Sequence, residues 1–245
     1  MAENNKSNLS NAAIILALGL VITGIILGST WRKVSRSNVT ITVTGSAQKE
    51  IRSDLAVWSG NFSNESNTMT DAYQKLQQSN SKVKNYLISK GFPQEKIVFS
   101  SVNTSTLYRQ TSEGASTNEI SGYRLSQSVS IESNDVDKVD QLSREATELI
   151  LEGVEFNSYP PEFYYTKLSD LKIEMIGLAS KDAKTRADQI ANSTGNEVGE
   201  VRSSRMGVIQ INAKNSTDVS DYGMNDVSSL EKTITAVVTV SYSIE

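Results

Sequence analysis

Val39-Thr40-Ile41-Thr42-Val43-Thr44 alternates β-branched apolar and polar side chains, the period of a strand with one buried face. The chain changes character on either side of it. Upstream, residues 12–31 read AAIILALGLVITGIILGSTW, twenty positions with no charge and ten of Ile, Leu or Val. Wound as a helix, they rise about 30 Å, the thickness of a bilayer's hydrocarbon core. Trp31 closes the run where an aromatic ring suits the headgroup layer. This pattern predicts a transmembrane helix over 12–31, set between a tail over 1–11 and a linker over 32–38, with a folded body over 39–245. Ile25-Ile26-Leu27-Gly28-Ser29-Thr30 is a poor match to a small-residue cleavage pattern, so the span is expected to remain as a signal-anchor. Arg32, Lys33 and Arg36 follow the span and Lys6 precedes it, so flanking charge alone would hold the C-terminal side in the cytoplasm.

Downstream, strand-like and helix-like periods alternate. Gly45 marks a bulge or turn, and Ala56, Trp58, Gly60 and Phe62 share one face of a second strand. Thr68 with Asp71 opens a helix whose apolar face is Ala72, Tyr73, Leu76, Val83, Tyr86 and Leu87. Strands are expected over 97–109 and 120–132, the latter with Leu125, Gln127, Val129 and Ile131 on one face, around a polar loop at 111–119. A second helix over 134–151 presents Val136, Val139, Leu142, Ala146, Leu149 and Ile150. Pro160 and Pro161 interrupt pairing after the short strand that follows it, so that strand is an edge or ends there. A third helix over 168–192 is lined by Leu171, Met175, Leu178, Ala179, Ala183, Ala187, Ile190 and Ala191; its alanines invite another backbone to approach closely. Strands over 199–211 and 232–244 flank a polar loop. A glycine stops each helix, at 91, 153 and 195. The expected fold class is α+β, antiparallel sheets with three amphipathic helices on one side, preceded by the N-terminal transmembrane helix.

The 245 residues contain no Cys and no His, which excludes disulfides, thiol nucleophiles, imidazole bases and Cys or His metal sites. GxSxG, GxGxxG and GxxxxGK[ST] patterns are also missing. No catalytic, cofactor-binding or metal residue is assigned, no cofactor is expected, and the chain reads as a non-enzyme. Acidic residues outnumber basic ones, 28 to 24, and repel phosphate backbones, so no nucleic-acid partner is expected. Asn134, Asp135, Asp137 and Asp140 read as a helix start in preference to a calcium loop. Asp218, Asp221, Asn225 and Asp226 read as a solvated loop in preference to a cation site. Tyr159-Pro160-Pro161-Glu162-Phe163-Tyr164-Tyr165 fits either a core lid or a subunit contact.

Ile41-Thr42-Val43-Thr44-Gly45 with Asp54-Leu55-Ala56, the GFPQEKI run from Gly91 to Ile97, and Gly122-Tyr123-Arg124-Leu125-Ser126-Gln127 with Asp137-Lys138-Val139 resemble the SIMPL-domain family. Ala179, Asp182-Ala183-Lys184, Arg186-Ala187, Ala191 and Gly199-Glu200-Val201 extend the likeness, which covers roughly 39–245 in the family's order. Ser53 stands where members commonly have Pro, at a cost in turn stiffness only. The resemblance implies a mostly bacterial envelope protein, secreted or tethered, with its body outside the cytoplasm; together with the uncleaved span, the expected place is the inner membrane. The resemblance also implies assembly into a homo-oligomer and a link to oxidative-stress tolerance, and it carries no catalytic motif. This placement outweighs the flanking-charge count. The expected partners are the membrane through residues 12–31 and further copies of the chain. An extracytoplasmic ligand-binding module, its small-molecule ligand unknown, is the alternative.

Overall fold

A computed structural model describes residues 16–31 and 39–244; the expected tail over 1–11, the start of the span at 12–15 and the linker over 32–38 lie outside the described residues. Helix α1 covers 16–31. Among the described residues no helix is long and apolar enough to cross a membrane, so the expected span is not met there. The described residues 16–31 rise about 24 Å, against about 30 Å for a hydrocarbon core, and the first four positions of the expected span lie outside them.

β1 (Thr40–Arg52) and β2 (Leu55–Ser66) precede α2 (Met69–Ser89). β3 (Ile97–Phe99), β4 (Asn103–Gln110) and β5 (Ser116–Ser133) follow, then α3 (Val136–Glu145), β6 (Glu155–Ser158) and β7 (Glu162–Tyr164). The chain continues through α4 (Leu168–Ser193), β8 (Val198–Met206), β9 (Gln210–Ala213), β10 (Met224–Asn225) and β11 (Glu231–Ile244). The described α-helices therefore number four against the three expected for the body, α1 being the addition. The class is α+β, as the alternating periods indicate. The chain divides into two compact units, one of Lys49–Leu171 with Gln210–Ile234, the other of Lys172–Ile209 with the segments up to Gln48 and from Thr235.

In the unit built on Lys49–Leu171, β3, β5, β2 and β6 lie side by side, with β4 also pairing β5 and β7 pairing β2. β2 carries Ala56, Trp58 and Phe62 inward, each fully buried, opposite Leu125, Val129 and Ile131 on β5. α2 and α3 close this core with Leu76, Val83, Leu87, Val139 and Leu142. Tyr73, expected on the apolar face of α2, is instead exposed, and Ser79 is buried, donating to Asn64 at 2.8 Å. The second helix ends early: α3 gives way at Ala146 to a 3₁₀ segment reaching Ile150. Three residues per turn keep Ala146 and Leu149 on one line and swing Ile150 and Leu151 outward, where they are exposed.

The strand expected over 97–109 is two strands. Ser100 sits at the break, where its N–H bonds Ser128 O, its hydroxyl accepts from Ser128 N, and its carbonyl takes the Gln127 amide. Beyond the break β4 and the first part of β5 form an arm exposed on both faces around a turn at Gly114. β6 and β7 both pair with β2 and are separated by Pro160 and Pro161, as the prolines indicate.

The other unit rests on contact between a strand and a helix. Met175, Ala179, Ala183, Ala187 and Ala191 form a buried line at a spacing of four along α4. The backbone that approaches is that of β1 at Gly45. A Cβ there would stand 2.2 Å from Ala179 O and 2.3 Å from Ala183 N. Gly45 is therefore a point of close approach, and the expected bulge or turn is replaced by continuous strand. Leu178 and Ile190, expected along the same stripe, are exposed because the stripe is a single file. On the opposite face of β1, Thr42 and Thr44 share hydrogen bonds with Ser241 and Thr239 of β11. Within this unit β11 pairs with β1 and with β8.

The three helix-stop glycines share one device. Gly91, Gly153 and Gly195 have φ between 74° and 82°, and the residue after each donates back five positions, to Leu87, Leu149 and Ala191. This is the Schellman arrangement that glycine's tolerance of positive φ permits. One pairing departs from the antiparallel expectation: β10 runs parallel to β9. The connection over 214–223 folds back against β9, where the Gln210 and Asn212 amides donate to Ser220 O and Asp218 O.

Candidate functional site

Charged groups gather in three places. At the end of α2, the Lys90 ammonium bonds Glu145 at 2.7 Å and Glu148 at 3.1 Å, while Tyr86 donates to Glu145 O. Hydrogen bonds donated to Glu145 and then Glu148 push the Lys90 amine above its ordinary range, and burial raises the Tyr86 phenol. An amine so firmly protonated is no base, and the cluster ties α2 to the 3₁₀ segment.

Asn134, Asp135, Asp137 and Asp140 each have a structural partner. Asp135 caps α3 by accepting from Lys138 N, Asp137 pairs with Arg52, Asp140 pairs with Arg144, and the Asn134 amide donates to Asp54 O. Asp218 accepts from Ser216, and Asp226 accepts from Ser228 through both N–H and hydroxyl. Among the described residues no three acids converge on a point that would hold a metal.

The third place was not singled out from sequence. Lys232 is 2 % exposed, and its ammonium donates to Phe163 O and Asp226 O. It borders a cavity of about 60 Å³ lined also by Tyr164, Tyr165, Leu168, Ile211 and Val227. Burial lowers the Lys232 amine from its ordinary value, and the nearby Asp226 charge draws it partly back. A signal was present: Lys232 shares strand parity with Ile234, Ala236 and Val238, all buried. Of the aromatic–proline run, part packs inward and part faces outward. Phe163 is buried and Tyr159 is exposed.

Residues 41–242 match the family model SIMPL, described as a protein of unknown function (DUF541). The chain belongs to the SIMPL family. No curated protein matches it. The residues that carry the SIMPL likeness hold the fold. Asp54 accepts from both the N–H and the hydroxyl of Thr166, fixing the chain ahead of α4. Gly45 admits the α4 backbone, and Asp182 accepts from Ser46 N at 2.8 Å and pairs with Arg186. The Ser46 hydrogen bond keeps the Asp182 carboxyl below the usual range. Arg124 pairs with Glu65 on the neighbouring strand. Ser53 does more than relax a turn: its N–H donates to Leu230 O at 3.0 Å, a bond that proline lacks the donor to make.

Proposed function

We propose that this SIMPL protein is a non-enzymatic, self-associating protein tethered to the inner membrane through residues 12–31, with its body on the extracytoplasmic side. The observation that carries the tether is α1. Eight large apolar side chains from Leu16 to Leu27 are each more than half exposed, and they point to every side of the helix. Each forfeits about 1.5–3 kcal/mol in water relative to burial, so the helix calls for an apolar surrounding. Thr23, Ser29 and Thr30 return their hydroxyls to Gly19 O and Ile26 O, the internal satisfaction that a lipid surrounding demands. A part in oxidative-stress tolerance, as the family likeness suggests, is indirect in this reading, since the chain has no thiol or imidazole to take up oxidant.

Self-association is assigned to the arm of β4 and β5. Tyr108 and Ile120 stand directly opposite each other on it, both half exposed. Beyond its contact with the rest of the sheet the arm is a two-stranded ribbon, which is marginal alone in water and gains from packing on another copy. The chemistry of its rim suits a second copy: the exposed Arg109–Glu119 pair offers both charges at the patch edge.

Replacing Tyr108→Lys together with Ile120→Glu keeps an attractive cross-strand pair and removes the apolar patch. Loss of two apolar contacts of this kind is expected to weaken association roughly 30-fold, read by light scattering of the full chain in detergent. Unchanged assembly in the double variant, or a monomeric wild-type chain, contradicts the assignment. The ligand-binding alternative finds less support: the enclosed cavity beside Lys232, about 60 Å³, holds a few waters, and the larger space of about 440 Å³ along Thr42, Thr44, Arg186 and Ile190 is an open face that would bury little of a ligand.

A further inference from the structure

Three buried side-chain oxygens around β9 have no hydrogen-bond partner: Gln210 Oε1, Asn212 Oδ1 and Asp226 Oδ2. Gln210 is 9 % exposed and Asn212 8 %. Their amide orientations are fixed by the loop, because each NH₂ donates to a loop carbonyl, Gln210 to Ser220 O and Asn212 to Asp218 O. Turning either amide over would set oxygen against oxygen. The unpaired oxygens are therefore not a choice of labelling.

Register brings the three together. Gln210 pairs with Met224 and Ile211 with Asn225 across the parallel ladder, and Asp226 N continues it by donating to Ile211 O. Alternation then sets Asp226 on the face of Gln210 and Asn212, while Ile211, Asn225 and Val227 line the Lys232 cavity on the other face. Burial opposes ionisation of Asp226, yet hydrogen bonds from Ser228 and Ser229 and the Lys232 charge outweigh it. Its carboxyl lies below the ordinary range and is anionic at neutral pH.

Gln210 Oε1 and Asn212 Oδ1 have no donor and carry a desolvation cost that the fold does not offset, and the Asp226 carboxylate on the same face adds a negative charge. An oxygen-seeking cation answers all three at once. We propose that the loop over 214–226 binds one calcium-class cation against β9, with Gln210 Oε1, Asn212 Oδ1 and Asp226 Oδ2 as protein ligands. Carboxamide and carboxylate oxygens in an adaptable loop suit Ca²⁺, which accepts irregular coordination, and not Mg²⁺, which keeps its waters in strict octahedral geometry. With a single buried carboxylate the dissociation constant is expected on the order of 10⁻⁴–10⁻³ M.

The test uses the full chain in detergent, stripped by chelator and titrated calorimetrically with CaCl₂, and in parallel with MgCl₂. One Ca²⁺ per chain is expected, with little response to Mg²⁺. Chymotryptic cleavage after Tyr222, which is 98 % exposed on the same loop, is expected to slow when Ca²⁺ is present. Asp226→Asn is expected to weaken binding about tenfold or more, and Asp226→Glu, which keeps the charge and moves it by one methylene, to weaken it less. If Asp226→Asn fails to fold, Asp226→Glu and Gln210→Met still decide the matter, because unchanged affinity in both overturns the ligand assignment. No saturable uptake of Ca²⁺ by the wild-type chain means that water alone fills the space, and overturns the site.

Discussion

Gly45→Val is expected to melt the full-length chain at a temperature lower by about 10 °C or more, corresponding to about 3–5 kcal/mol of lost stability. The reason is the identity of the neighbours. Ala179 O and Ala183 N belong to the α4 backbone, and a Cβ placed 2.2 and 2.3 Å from them has no flexible side chain to displace. The helix has to back away from β1. That motion opens the line of Met175, Ala179, Ala183 and Ala187, each fully buried, and breaks the hydrogen bond from Ser46 N to Asp182. Even Gly45→Ala is expected to cost most of this, since the first carbon already collides. Circular dichroism melting of the three proteins checks the expectation. A Gly45→Val chain that melts with the wild type would mean that β1 and α4 do not touch as described.

Lys232→Met is expected to cost about 3 kcal/mol, read by the same melting measurement. Methionine fills much of the same space, so the loss falls on polar groups. Phe163 O and Asp226 O lose their donor, and the Asp226 carboxylate loses its nearest cation. Adding Asp226→Asn to Lys232→Met is expected to restore part of the loss, because the buried negative charge disappears. The lowered Lys232 amine has a consequence for pH as well. Its folded value lies below its unfolded one, so the unfolded chain binds more protons between the two. That contribution to stability is expected to rise with pH through this window and to be absent in Lys232→Met. A variant as stable as wild type would show that the ammonium's two hydrogen bonds contribute little.

Much of this architecture was legible in residue order because it is governed by local periods. Trp58 and Phe62 on β2, Leu125 and Val129 on β5, and the alanine line of α4 are all placed by alternation or by a four-residue spacing. The stop glycines at 91, 153 and 195 announce themselves because only glycine takes their φ without strain. What escaped depends on partners distant in sequence. Nothing near Tyr73 says that it will lie outside the core. Nothing near Ser100 says that Gln127 will claim its carbonyl. The parallel pairing of β10 with β9 follows from amide bonds to a loop of ordinary polar composition. The candidate sites were harder still. Asp226 was visible as one of several acids, but its partners in burial, Gln210 and Asn212, are neutral residues that a search for acids passes over.

Membrane tethering is the claim on which the functional reading stands, and alkaline carbonate extraction of membranes from cells making the full-length chain addresses it most directly. The chain is expected to stay with the lipid pellet, and a version with Leu20→Lys and Ile25→Lys in α1 to be released. Release of the intact wild-type chain into the aqueous supernatant, with residues 1–31 still attached, would contradict the account.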